Sequence, residues 1–182
     1  MPDPGANLWI SQANSDWRAA DLVYDETDHR TYCQAISKYQ QTVEKSIKAV
    51  AAALQGAGVK SVRREYYYDH NLDDLISALR RSPYPRKAQH VQARICEVLS
   101  DYYYLEINAL SSLAPRKPQR GALHARNTEY PYESAQGVWT APALLGEFNK
   151  HEVLRFYRLA ERIYERTREI VSAIDRYKKT LT

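Results

Sequence analysis

The segment from Leu113 to Tyr132 contains the residue types best suited to binding phosphate. Prolines and a glycine interrupt it, so its cationic side chains stand on irregular backbone, and no acidic residue occurs before Glu129. Arginine and lysine bind phosphates, and tyrosine rings stack on nucleobases. The segment therefore predicts a site for a nucleotide or single-stranded RNA, and a solvated loop with packed tyrosines is the alternative. The candidate binding residues are Arg116, Lys117, Arg120, Arg126, Asn127, Tyr130 and Tyr132.

Histidine near arginine suggests a second chemistry, because RNA can be cleaved without a metal ion. A histidine acts as general acid or base on the 2′-hydroxyl or the leaving oxygen, while an arginine stabilises the pentacoordinate phosphate. His124 lies between two arginines, and His70 follows Arg63 and Arg64. The candidate catalytic residues are therefore His124, Arg126 and His70. For His70, a purely structural role at the start of a helix is the competing interpretation.

The charge of the chain is distributed unevenly. The net charge is only +4, which excludes a histone-like protein or a polybasic tail. Residues 79–126, however, carry 9 basic side chains and 3 acidic ones, whereas residues 1–78 carry 8 and 11. Residues 79–126 therefore carry a net charge of +6, which exceeds the net charge of +4 of the whole chain.

Several functional classes are disfavoured by what the sequence contains. Cys33 and Cys96 lie far apart with no cysteine or histidine at ligand spacing, so we interpret both as small core residues in a reducing compartment. We expect no metal site and no cofactor. The acidic start is unlike a signal peptide, and the longest apolar runs are too short to cross a membrane. We therefore expect a cytoplasmic protein with no membrane partner.

Apolar residues spaced by three and four predict helices throughout. Long helices are predicted near residues 7–26, 29–56, 86–112 and 147–178, and a shorter one at about 71–81, with Asp28 as a helix N-cap. The fold class predicted is all-α: an up-and-down four-helix bundle with one additional short helix and a long loop, residues 113–146, before the last helix. We expect a single domain over residues 1–182, with its core at about 7–178. Three of the long helices carry a stripe of residues on one face that we expect to be buried. The stripes are Tyr39, Val43, Ile47, Val50 and Leu54; Val91, Ile95, Val98, Tyr102, Leu105 and Ala109; and Phe156, Ala160, Ile163, Thr167, Ile170 and Ile174.

Two surface patterns are relevant to assembly. On the last helix, a row of three arginines lies beside a row of three glutamates, which indicates a solvated or subunit-facing surface. Tyrosine is enriched in interfaces, so the triplets at residues 66–68 and 102–104 favour a homodimer. The two charged rows are Arg158, Arg162 and Arg166, and Glu161, Glu165 and Glu169.

The motif YQQTVEKSIKA at residues 39–49, followed by HNLDDL at residues 70–75, resembles the HEPN domain family, the higher eukaryotes and prokaryotes nucleotide-binding family. The resemblance implies a helical bundle that dimerises and binds nucleotides. It also associates the chain with a nucleotidyltransferase partner in a toxin–antitoxin or defence setting. Some family members are metal-independent ribonucleases marked by an arginine and, four to six positions later, a histidine. Arg126, Asn127 and Tyr132 fit this signature, but Tyr130-Pro131 stands near the place of the histidine, as in the branch without the nuclease signature.

Three hypotheses follow. The first is a HEPN protein that dimerises and binds nucleotide or RNA through the basic segment. The second is a metal-independent endoribonuclease, with His124 or His70 as acid or base and Arg126 or Arg64 on the phosphate. The third is a non-catalytic adaptor whose basic centre docks an acidic protein partner.

Overall fold

The computed structural model describes residues 5–59, 72–81, 84, 89–113, 128, 132–133, 139–144 and 147–179. Within these residues the protein is all-α, as predicted, apart from one pair of two-residue strands. The strands are β1 (Tyr132–Glu133) and β2 (Trp139–Thr140), and a 3-10 turn spans His29–Thr31. The helices are α1 (Ala6–Val23), α2 (Tyr32–Gly56), α3 (Leu72–Arg81), α4 (Gln89–Val98), α5 (Asp101–Ser111) and α6 (Lys150–Lys179).

Helix α2 forms the centre of the bundle. It packs most extensively against α1 and α6, and it also contacts α3 and α5. The predicted stripe from Tyr39 to Leu54 is buried, but so are residues on the other faces of α2, including Ala35, Ala49 and Ala53. A helix surrounded by neighbours loses the exposed polar face of an ordinary amphipathic helix.

The burial of α2 extends to charged residues, which are therefore paired. Lys48 is 3% exposed, and its Nζ lies 2.6 Å from Oε1 of Glu44. The Lys48 ammonium also lies 5.5 Å from the centroid of the Trp9 ring on α1. A buried charge is tolerated only with such partners. The charged residues of the motif at 39–49 thus have a structural part in joining α1 to α2.

Helix α6 confirms the predicted stripe, since all six residues from Phe156 to Ile174 named above are buried. Its start is defined by a capping box. The N–H of Glu152 donates to Oδ1 of Asn149 at 3.0 Å, and the N–H of Asn149 donates to Oε2 of Glu152 at 3.1 Å. The reciprocal bonds satisfy two N–H groups at this end of the helix.

The prediction of one continuous helix over residues 86–112 is wrong. The chain breaks at Leu99 and Ser100, and Ser100 has extended backbone with ψ of 164° before α5 begins. Val91, Ile95 and Val98 are buried as predicted, but Leu105 is 67% exposed. Helix α5 instead buries its face at Ile107 and Leu110. The break changes which face of the chain is buried. The seven-residue spacing of apolar residues therefore continues through Leu99 and Ser100 in the sequence, but the residues on either side do not share one buried face.

The position of Asp28 also differs from the prediction. Its Oδ1 accepts a hydrogen bond from the N–H of Arg30 at 3.0 Å, so Asp28 caps the 3-10 turn that precedes α2. Helix α2 itself begins three residues later than predicted, at Tyr32. Helix α1 ends at Val23, before the predicted limit of residue 26. Among the described residues, no helix has the length and apolar character needed to cross a membrane.

Candidate functional site

Leu113 and Thr128, which enclose the cationic part of the basic segment, meet at the end of α5. We call residues 114–127 between them the basic loop. The N–H of Thr128 donates to the carbonyl oxygen of Leu113 at 3.1 Å, and the Thr128 hydroxyl donates to the same oxygen at 3.4 Å. Leu113 and Thr128 are both buried. Residues 114–127, which contain four cationic side chains and no acidic one, are therefore closed into a loop at a buried base.

The chain after this loop returns to the bundle through a short ladder and a turn. Strands β1 and β2 pair antiparallel, with Tyr132 opposite Thr140. The Thr140 hydroxyl donates to Oε1 of Glu147 at 3.1 Å, and the N–H of Leu144 closes a turn on the carbonyl of Ala141 at 3.0 Å. Pro142 in that turn is buried. Of the long connection, the described residues Thr128 and Pro142 are buried, whereas Ala143 and Leu144 are exposed.

A groove of about 500 Å³ lies between this turn and the first half of α2. Clefts of about 300–1,000 Å³ are the usual size of small-molecule sites. Thr128 lines it, so the groove adjoins the base of the basic loop. The lining residues are Val23, Cys33, Gln34, Ser37, Lys38, Gln41, Thr128, Ala141, Pro142 and Ala143. We call this site the α2 groove.

Three polar side chains of the α2 groove lie on one stripe of α2. Gln34, Lys38 and Gln41 are spaced by four and three, which places them on one face of a helix. The Nζ of Lys38 donates to Oε1 of Gln41 at 3.2 Å and lies 3.6 Å from Oδ1 of Asp16. Because its oxygen is bound by Lys38, the Gln41 amide has its NH₂ group on the other side, where it can donate to a ligand.

Cys33 contributes an apolar wall to the α2 groove rather than a nucleophile. The side chain is buried, and its Sγ donates to the carbonyl of Arg30 at 3.6 Å. Burial raises the pKa of the Cys33 thiol, because a thiolate loses solvation there. A neutral thiol behaves as a small hydrophobic group, so Cys33 is unsuited to covalent catalysis at neutral pH.

A second groove, of about 670 Å³, runs between α5 and α6 and carries the charged rows predicted on the last helix. Its arginines are largely engaged by neighbours. Arg155 binds Glu106 through two hydrogen bonds of 2.5 and 2.8 Å, and Arg162 lies 5.0 Å from the centroid of the Tyr103 ring. Four arginines and four glutamates line this groove, so its charge balances and it does not favour an anionic ligand.

Most of the residues that the sequence singled out lie outside the described residues. For Tyr132 the structure describes the backbone, which pairs with Thr140 in the ladder. Among the described residues, no group of three or more His, Cys, Asp or Glu side chains could hold a metal ion. The candidates outside the described residues are His70, Arg116, Lys117, Arg120, His124, Arg126, Asn127 and Tyr130.

The α2 groove contains residues that sequence reasoning missed. Gln34, Ser37 and Lys38 precede the motif at residues 39–49 that carries the family resemblance. The available signal was the spacing of Gln34, Lys38 and Gln41 by four and three, which places three polar side chains on one face of the predicted helix. Within the motif itself, Tyr39 is buried in the core, whereas Gln41 faces the groove.

The fold defines an all-α bundle protein in which Thr128 closes the chain on Leu113 and lines the α2 groove. The family model of the HEPN domain matches residues 6–105, which include α1 to α4 and the motifs at 39–49 and 70–75. The chain belongs to the HEPN domain family, and its function therefore falls in the nucleotide- and RNA-related class. No curated protein and no solved structure matches the chain.

Proposed function

We propose that the protein binds a nucleotide or RNA through the basic loop, as a homodimer that works with a nucleotidyltransferase in a toxin–antitoxin or defence setting. The observation that carries the binding proposal is the closure of the loop by Thr128 on Leu113 in a HEPN domain. Closure brings the two ends of a segment with four cationic and no acidic residues to one place. A loop whose ends are already held together loses less conformational entropy when it binds phosphate, which favours binding.

The absence of a histidine at the signature position favours binding over cleavage. Tyr130 stands near that position, and tyrosine, with a usual pKa near 10, is a poor general base at neutral pH. The loop's arginines and lysine need no such base to hold phosphate groups. We therefore assign Arg116, Lys117, Arg120 and Arg126 to the phosphates, and Asn127, Tyr130 and Tyr132 to bases and sugars.

Isothermal titration calorimetry with ATP, GTP and a short single-stranded RNA, at low and moderate salt, tests the binding proposal. We expect the variant Arg116→Ala, Lys117→Ala, Arg120→Ala to bind at least about tenfold more weakly. Its salt dependence should also be shallower, since each lost phosphate contact on a single strand removes about 0.7 from the log–log slope. The matched control replaces exposed arginines on α1, α4 and α6: Arg18→Ala, Arg94→Ala and Arg176→Ala.

Two outcomes would reject the binding proposal. One is the absence of binding to all three ligands even at low salt. The other is equal weakening by the loop variant and the control variant, since that would reflect net charge alone. Cleavage of RNA in EDTA that is abolished by His124→Ala or His70→Ala would assign the ribonuclease activity instead.

The charged rows of α6 support the homodimer. Arg158, Arg162 and Arg166 are exposed, and the neighbouring row of glutamates begins at Glu161. A two-fold axis parallel to α6 would place the arginine row of one copy opposite the glutamate row of the other. An antiparallel pairing would bring like charges together, so the rows also select the orientation.

Sedimentation velocity measures this assembly. The dimer should weaken as salt rises, because exposed ion pairs are screened within about 10 Å at 0.1 M. Arg162→Glu should shift the dimer toward monomer, whereas Arg94→Glu on the exposed face of α4 should leave it unchanged. A monomer at every concentration and salt, or a dimer insensitive to Arg162→Glu, would contradict the assigned surface.

A further inference from the structure

The α2 groove differs from the basic loop in its chemistry. Its walls are mainly small and apolar, from Val23, Cys33, Ala141, Pro142 and Ala143. Such walls can cover the faces of a flat, uncharged ring, whose burial, unlike that of a phosphate group, removes no charge from water. The groove is therefore complementary to the part of a nucleotide that the basic loop does not bind.

Two of the polar residues that line the α2 groove, Gln34 and Gln41, carry amides, which match the edges of nucleobases. Gln34 carries an acceptor oxygen and an NH₂ group, which can pair with neighbouring donor and acceptor atoms of a base, whereas Gln41, whose oxygen accepts from Lys38, offers its NH₂ group. Lys38 holds the oxygen of Gln41 and is itself held by Asp16, which is 4% exposed. The Gln41 amide is thus oriented before a ligand arrives, which lowers the entropy lost on binding.

The position of the α2 groove connects it to the basic loop. Thr128 lines the groove and also closes the loop on Leu113. In the chain it directly follows Arg126 and Asn127. A ligand with a base at one end and phosphates at the other can therefore use both parts of the site.

We propose that the α2 groove is the base-binding subsite of the nucleotide or RNA site, an inference that rests on the proposed function. The base lies between α2 and the turn of Ala141 to Ala143. The amides of Gln34 and Gln41 hydrogen-bond its edge, and the wall at Pro142 covers one face. The phosphates leave the groove on the side of Thr128, the residue that closes the basic loop on Leu113.

The test compares nucleotide with inorganic triphosphate, which carries the phosphates without a base. In calorimetry with ATP, Ala143→Phe should fill the groove and Gln34→Leu should remove an amide, and each should weaken binding at least about tenfold. Both positions are exposed, so the substitutions leave the core intact. Binding of inorganic triphosphate should change less than about twofold. Matched controls on the exposed face of α4, Ala93→Phe and Gln89→Leu, should leave both ligands unaffected.

A second measurement uses the unmodified protein. Adenosine, which has no phosphate, should shift the backbone amide resonances of Gln34, Lys38 and Ala143 in a ¹⁵N-labelled sample, and those of α4 should stay in place. The outcomes separate the two proposals. If the groove variants bind ATP as the unmodified protein does, the base subsite is rejected and the proposed function stands. If neither ATP, RNA nor triphosphate binds, the proposed function fails and the subsite fails with it.

Discussion

Asp16 is a buried carboxylate of α1 that two lysines of α2 compensate. It is 4% exposed, its Oδ1 lies 3.6 Å from Nζ of Lys38, and its Oδ2 accepts a hydrogen bond from Lys45. The contact joins α1 to α2 and also positions Lys38 beside the α2 groove. Removing one member of such a group leaves the remaining charges without compensation.

We expect Asp16→Ala to lower the free energy of unfolding by about 2–3 kcal/mol. Fully buried pairs lose about 3–5 kcal/mol, and the partial exposure of both lysines reduces that figure. Urea denaturation followed by circular dichroism measures the change. Adding Lys45→Met to Asp16→Ala should recover part of the loss, because it removes an unpaired charge. A loss below about 0.5 kcal/mol for the single variant would show that the carboxylate does not hold the helices together.

Asp28 gives a pH dependence whose sign follows from its partners. The side chain and the backbone N–H of Arg30 donate to its carboxylate, which lowers the pKa of Asp28 to about 2. A carboxyl group whose pKa is lower in the folded state stabilises the fold above its ordinary pKa, near 3.9, and this stabilisation is lost as the pH falls toward 2.

Asp28→Asn keeps the cap on the 3-10 turn but removes the charge that binds Arg30. The variant should therefore be less stable than the unmodified protein at pH 7, and the difference should shrink between about pH 4 and pH 2. Urea denaturation at several pH values measures the two curves. Arg30→Ala should give a smaller difference of the same sign, because the backbone N–H of residue 30 still donates to Asp28. A difference that stays constant down to pH 2 would contradict the assignment to the charge.

At the scale of the elements, α6 depends on its capping box. Asn149 is the N-cap and Glu152 lies at the third helical position, and each side chain accepts a hydrogen bond from the backbone N–H of the other. Asn149→Ala should lower the free energy of unfolding by about 1 kcal/mol, since N-cap replacements by alanine lie near that value. Asn149→Ser, measured in the same urea titration, should retain most of it. Equal losses of stability in the two variants would contradict the assignment of the effect to the N-cap hydrogen bond.

The helices whose sequence pattern matched their structure have one continuous buried stripe. For α2 and α6, every residue of the predicted stripe is buried, because each helix packs along its whole length. The segment 86–112 failed because periodicity does not detect a local change of backbone direction. Ser100 adopts extended backbone before α5, and Leu105 consequently faces solvent. Serine is a common N-cap, so this residue was the available signal.

The sequence predicts the charge of the candidate binding segment but not the α2 groove. The basic segment follows directly from the order of Arg116, Lys117 and Arg120 in a Pro-containing stretch. The α2 groove needs the return of the chain at Ala141 to Ala143 against the first half of α2, which is a tertiary contact without a local pattern. The bond between Thr128 and Leu113 likewise joins residues fifteen positions apart.

At the scale of the whole molecule, the central position of α2 should make unfolding cooperative. Trp9 and Trp17 of α1 pack against the core, so in a Trp139→Phe background tryptophan fluorescence reports on the contact between α1 and the rest of the bundle. We expect fluorescence and far-ultraviolet circular dichroism to give coincident urea transitions. Ile47→Ala, at a position 1% exposed, should lower the free energy of unfolding obtained from both signals by about 3 kcal/mol.

The control for this prediction is Leu105→Ala. Leu105 is 67% exposed, so its truncation should change stability by less than about 0.5 kcal/mol. A fluorescence transition at clearly lower urea than the circular dichroism transition would show that α1 separates before the remaining helices unfold. In that case Ile47→Ala should move only the later transition.

The hydrogen bond between Thr128 and Leu113 also means that the basic loop can be replaced as a unit. Its ends meet at one buried point, so a segment of different length or composition can be joined there without moving α5 or the chain that follows. Doubling the length of a flexible loop costs only about 0.6 kcal/mol. Under the proposed function, changes of ligand preference would arise in this segment while the bundle is retained, and the same junction offers a place to insert a chosen recognition sequence.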